Sequence, residues 1–133
     1  MTPDQQTRCA ALAKRIAELD KGWFDDGMAC RNNDIQWRYI GFNCLTSKHV
    51  WLQVYYDGEA HFPAPTLGAP IMRGPDYTDD CTLGALLLSL GDIRITGPLS
   101  DGRCWISKQN YGGWFDTRAE AILAAVVAKL EAP

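Results

Sequence analysis

The segment opening at Thr117 limits the fold more than any other part of this chain. Thr117-Arg118-Ala119-Glu120 has the form of a capping box, a threonine able to accept from the third helical N–H with a glutamate placed to reach back. Ala119, Ile122, Leu123, Val126, Val127 and Leu130 then recur at helical spacing as far as Pro133. A helix with so continuous an apolar stripe has to lie on another layer. The beginning of the chain repeats the signal. Thr2-Pro3-Asp4-Gln5 supplies a cap, a proline at the first helical position and a glutamine at the capping-box position. Cys9, Leu12, Ala13, Ile16, Ala17 and Leu19 form the stripe, and Gly22 ends it.

Between these helices the pattern changes to strand. After a polar stretch at residues 25–33, Ile35 to Ile40 and Val50 to Tyr56 are rich in β-formers. Asp57-Gly58 suits a type I′ turn, and Glu59 to Phe62 can return as the third strand of a meander. Prolines at 63, 65, 70 and 75 argue against regular structure across residues 63–77, a loop long enough to be a functional surface or an insertion. Thr78 is placed to cap a middle helix carrying Leu83, Leu86, Leu87, Leu88 and Leu90, stopped by Gly91. Ile93 and Ile95 alternate with polar residues, and Arg103 to Ser107 can pair back as a second hairpin. Gly112-Gly113 reads as a turn before Trp114. The expected architecture is a single α+β domain over residues 1–133: an antiparallel sheet of about five strands, meander plus hairpin, covered by three helices in a sandwich-like stack.

Length and composition fit this. A chain of 133 residues with 47% hydrophobic and 22% charged residues holds a core without metal or disulfides. The net charge of −3 offers no field for phosphate backbones, so general nucleic-acid binding is disfavoured. Five cysteines, an odd number with no Cys-x-x-Cys pair, read as reduced thiols. The opening residues lack a secretory profile, and the longest apolar run near Leu83–Leu90 is too short to span a bilayer. A cytoplasmic protein without a membrane anchor is expected.

Residues able to carry chemistry are few. Cys44 or Cys81 with His49 or His61 would make a cysteine-dependent enzyme, but no spacing predicts that they meet, and Cys9 and Cys81 fit small buried hydrophobes. Cys30, Cys44, His49 and His61 lack a zinc signature, so no metal or other cofactor is expected. Asp25-Asp26 and Asp79-Asp80 are adjacent pairs that do not converge, and the second suits a helix start. From Gly74 to Gly102 five aspartates stand against Arg94 alone, which predicts an acidic rim. The remaining signal is aromatic. In the meander Trp51, Gln53 and Tyr55 alternate with Val50, Leu52 and Val54, so large rings occupy both faces. One face, with Trp37, Trp51 and Tyr55, is the candidate partner-binding surface.

From Tyr77-Thr78, through Leu90-Gly91 and Trp105, to the helix Thr117 to Leu130, the second half resembles the phage ABA sandwich domain, over residues 75–133. The resemblance implies a tailed-phage or prophage origin and a helix/sheet/helix layering, with residues 34–77 as an addition, and it implies no reaction. The expected role is a phage accessory protein in the host cytoplasm that binds a host or phage protein or self-associates, including one that blunts a host defence system. The alternatives are a small-ligand binder, such as one sequestering a nucleotide under the loop from Pro63 to Pro75, and the cysteine-dependent enzyme.

Overall fold

The computed structural model describes residues 1–32, 35–55, 60–64, 67–108 and 111–132, excepting the side chains of 55, 60–64, 108 and 111. Helix α1 spans Pro3–Leu19 and begins with both halves of the capping box: Thr2 Oγ1 accepts from Gln5 N at 3.2 Å, and Gln5 Oε1 accepts from Thr2 N at 2.9 Å. The stripe Cys9, Ala13, Ile16 and Ala17 is buried. The last helix, Arg118–Glu131, packs along α1. Its cap Thr117 accepts from Glu120 N at 3.2 Å, while the Glu120 carboxylate takes Arg8 Nε at 2.9 Å, so the capping-box glutamate ties the last helix to the first.

The strands form two sheets among the described residues, not the single five-stranded one expected from sequence. Strands β1 (Ala29–Asn32), β2 (Ile35–Asn43), β3 (Lys48–Tyr55) and β4 (Ala60–Ala64) make an antiparallel sheet in sequence order. Strands β5 (Arg94–Thr96), β6 (Cys104–Lys108) and β7 (Tyr111–Phe115) make the second. The α+β class stands, but β1 lies in the stretch read as polar, and β7 lies where Gly112-Gly113 reads as a turn. Gly112 has a packing reason: a Cβ there would come within 3.3 Å of the Trp105 ring on the neighbouring strand. Its missing side chain makes room for an indole across the ladder. The proposed turn at Asp57-Gly58 falls outside the described residues.

Two further helices complete the fold. The short α2 (Gly68–Met72) falls inside the segment read as irregular, and α3 spans Asp80–Ser89. Asp79, not Thr78, caps α3, accepting from Thr82 N at 3.0 Å. Leu83, Leu86 and Leu90 are buried, whereas Leu88 is 84% exposed because helical geometry turns it to the opposite side. With the last helix counted as α4, contacts run from the β5–β7 sheet to α4, from α4 to α1 and α3, from α1 to α2, and from α2 to β1. The helices thus connect the two sheets through one apolar cluster. No helix among the described residues is long and apolar enough to cross a membrane.

The closest backbone approach is at Gly74, where φ is +83° and a Cβ would lie 1.9 Å from the Ala13 carbonyl oxygen of α1. Gly91 also has positive φ, +72°, but has nothing within 4 Å of a Cβ. The two positions separate conformational strain from steric exclusion. Gly91→Ala should cost about 1 kcal/mol, the left-handed penalty alone. Gly74→Ala should cost roughly 3 kcal/mol or more, because α1 or the loop has to move. Equal losses for the two variants in urea unfolding would show that the loop is not pressed against α1.

Candidate functional site

The aromatic face expected to meet a partner is turned inward. Trp51 is fully buried and Trp37 is 9% exposed, so neither presents a docking surface, and the side chain of Tyr55 lies outside the described part. The cover comes from residues just after α1. Phe24 lies 4.9 Å from both Tyr39 and Trp51, centroid to centroid, and Trp23 lies 6.4 Å from Trp51. Trp23 Nε1 donates to the Ile71 carbonyl of α2 at 3.1 Å, which fixes the lid. A bulge between Tyr39 and Gly41 turns Phe42 to the same side, beside His49, and Gly41 sits at φ +141°. The face with Val50, Leu52 and Val54 is the less covered of the two. Alternation along β3 identifies the two faces; it cannot tell which of them Trp23 and Phe24 will close.

The aspartates expected to form an acidic rim are mostly engaged. Asp76 is 3% exposed, and both of its oxygens are occupied. Oδ2 accepts from Arg31 Nε at 3.1 Å and Gln36 Nε2 at 2.8 Å; Oδ1 accepts from Thr78 N at 3.0 Å and Thr78 Oγ1 at 2.6 Å. Thr78 therefore serves Asp76 rather than the helix cap. One step on, Arg38 forks onto Asp79 at 2.9 and 3.1 Å, and Thr82 Oγ1 donates to Asp79 at 2.6 Å while accepting from Ala29 N at 2.9 Å. Burial pushes the Asp79 carboxyl up, but the Arg38 and Thr82 hydrogen bonds and the Arg38 charge outweigh it and hold it below the usual carboxylate range. Asp101 is likewise paired with Arg103.

Asp76, with Arg31 and Thr78, lines one wall of a cleft of about 530 Å³ between α1 and the chain from Ala69 to Thr78. Ala10 and Ala13 of α1, with Ala69, Met72 and Pro75 opposite, supply apolar surface. Lys14, Arg31 and Arg73 supply three cations against the single carboxylate of Asp76. Gly74 lines the cleft where it touches α1. The cleft borders the second part of the proline-rich segment, from Ala69 to Pro75. Lys14 and Arg31 carried no signal, because they join the site from a helix and a strand far off in sequence.

Among the described residues the other candidates form no reactive group, and the side chain of His61 lies outside the described part. Burial, with the Asp76 charge, pushes the Cys30 thiol up to about 12, and burial also raises Cys9 and Cys104. Cys44 and Cys81 are exposed, the latter against the expectation of a buried hydrophobe. His49 Nδ1 shares a 2.9 Å hydrogen bond with the Tyr39 hydroxyl, so a phenol rather than a thiol faces that nitrogen. Among the described residues no three His, Cys, Asp or Glu side chains group as metal ligands. No family model, no curated protein and no solved structure matches the chain.

Asp79, at the α3 cap beside the cleft residues, gives the fold a testable pH signature. Its folded pKa is lowered, so its contribution is complete above the unfolded value of about 3.9 and is lost as pH falls through the folded one. Asp79→Ala should cost about 3 kcal/mol at pH 7, because Arg38 is left without its partner and α3 without its cap. Asp79→Asn should show a shallower loss of stability than wild type between pH 4 and the acid transition. Parallel acid limbs in urea titrations would deny Asp79 that role.

Proposed function

We propose that the protein works by binding, and that it holds a small molecule in the cleft between α1 and the segment from Ala69 to Thr78. The observation that carries this is the cleft itself, apolar along its walls, with Lys14, Arg31 and Arg73 converging on it. Its volume of about 530 Å³ falls within the range of roughly 300–1,000 Å³ usual for small-ligand sites. Its walls are held in place before any ligand arrives: Gly74 rests on the Ala13 carbonyl, and Asp76 fixes Arg31. Such preorganisation lowers the cost of binding. Sequestration of a small molecule, with a nucleotide as one instance, fits this site.

A second reading, a phage accessory protein that docks on a host protein, draws support from a different place. On the outer side of the β5–β7 sheet Trp114 is 50% exposed, 5.4 Å from Trp105 and with the Arg103 guanidinium 5.1 Å from its ring centroid. Exposed indoles beside an arginine are typical of protein contacts. Trp105 and Trp114 replace Trp37 and Trp51 as the residues to test for that role.

A thermal-shift panel of nucleotides and aromatic carboxylates, run on wild type and on Ala10→Trp, decides between the sites. Ala10 is exposed on α1 and lines the cleft, so an indole there should fill it without touching the core. A ligand at about a hundred times its Kd should raise the wild-type Tm by roughly 10 °C and leave Ala10→Trp unmoved. Equal shifts in the two proteins would remove the cleft as the site.

A further inference from the structure

Granted the small-molecule reading above, on which this rests, we infer that the cleft is built for an organic anion: a phosphate or carboxylate group carried on an apolar body. The charge balance points there first. The chain as a whole is negative, at −3, yet three cations and one carboxylate line this cleft, so its sign is opposite to that of the molecule. The one carboxylate is already answered. Asp76 is buried beneath four hydrogen-bond donors and contributes little negative potential to a ligand.

Arg31 is the residue prepared for the anion. Asp76 holds it through Nε at 3.1 Å, which uses one of five guanidinium donors and fixes the plane of the group while it lines the cleft. An arginine already oriented loses little freedom on accepting a bidentate oxyanion, and it is more weakly hydrated than an ammonium. Lys14 from α1 and Arg73 from the opposite side are exposed at the same cleft and enter no ion pair among the described residues. The rest of the lining defines the other half of the ligand. Ala10, Ala13, Ala69 and Met72 offer no hydrogen-bonding side chain, so a fully hydrated ion such as free phosphate would leave most of the surface unused.

Calorimetry with three probes tests both halves: 1-naphthyl phosphate, 1-naphthol and inorganic phosphate, each titrated into wild type, Lys14→Glu/Arg73→Glu and Ala10→Trp. The expected result is that 1-naphthyl phosphate binds wild type at least tenfold more tightly than either of the other two. Its affinity should fall at least tenfold, about 1.4 kcal/mol, in the double variant and be lost in Ala10→Trp. The wild-type and double-variant melting temperatures should agree, since both substituted residues are exposed. Naphthol binding as tightly as the ester, with no effect of the double variant, overturns the anion and leaves the cleft standing. Inorganic phosphate binding as tightly as the ester overturns the apolar body. Absence of measurable heat with both aromatic probes at millimolar concentration overturns the inference as a whole. Naphthyl phosphate binding to Ala10→Trp as tightly as to wild type overturns the small-molecule reading itself.

Discussion

The structure depends on the burial of one carboxylate. A charge removed from water without partners costs several kcal/mol, so Asp76 can be inside only if donors arrive with it. They come from β1 (Arg31), β2 (Gln36) and the turn that follows Asp76 (Thr78). Its own N–H closes the set by donating to the Ala29 carbonyl at 2.8 Å. The edge of β1 is therefore not left as an open row of amides: Asp76 N takes one carbonyl, and the Thr82 hydroxyl takes the Ala29 N–H. Because Arg38 and Asp79 repeat the arrangement one step further along, the four-stranded sheet is joined to α3 by polar contacts of fixed direction. Apolar packing alone would permit sliding there.

Much of this was legible in the sequence where local chemistry decides the outcome. Helices α1 and α4 are announced by their caps and stripes, and the β2–β3–β4 meander by its β-branched and aromatic content. What failed depends on contacts far apart in the chain. Thr78 and Asp79 are both good caps by composition, and only Asp76 and Arg38, on either side of them in space, decide that Asp79 takes the helix. Strand β1 has no β-forming signature in Ala-Cys-Arg-Asn; it exists because β2 pairs with it on one side and Asp76 and Thr82 close the other. The division into two sheets has no local signal either, since it follows from the β5–β7 sheet packing on α4.

The candidate site was legible only in outline. Proline and glycine density marks the segment near residue 70 as irregular, but the cations that give the cleft its character sit on α1 and β1, without any spacing that joins them. The misplaced aromatic surface has the same origin. Trp23 and Phe24 follow the first helix in a stretch without strand or helix periodicity, and they prove to be the cover over Trp51 and Tyr39.

The pairing of α1 with α4 bears on how this molecule comes into being. Arg8 and Glu120 stand 112 positions apart and are joined by an ion pair, and the buried stripe of α1 rests on the helix that contains Glu120. At ribosomal speeds of about 5–20 residues per second, α1 emerges on the order of ten seconds before its mate exists. Through that interval Cys9, Ile16 and their neighbours have no native apolar surface from α4 to adhere to, and closure of so large a loop favours slow maturation over early commitment. Docking of the first helix therefore waits on the helix that contains Glu120, and its apolar stripe stays unpaired with that helix until then.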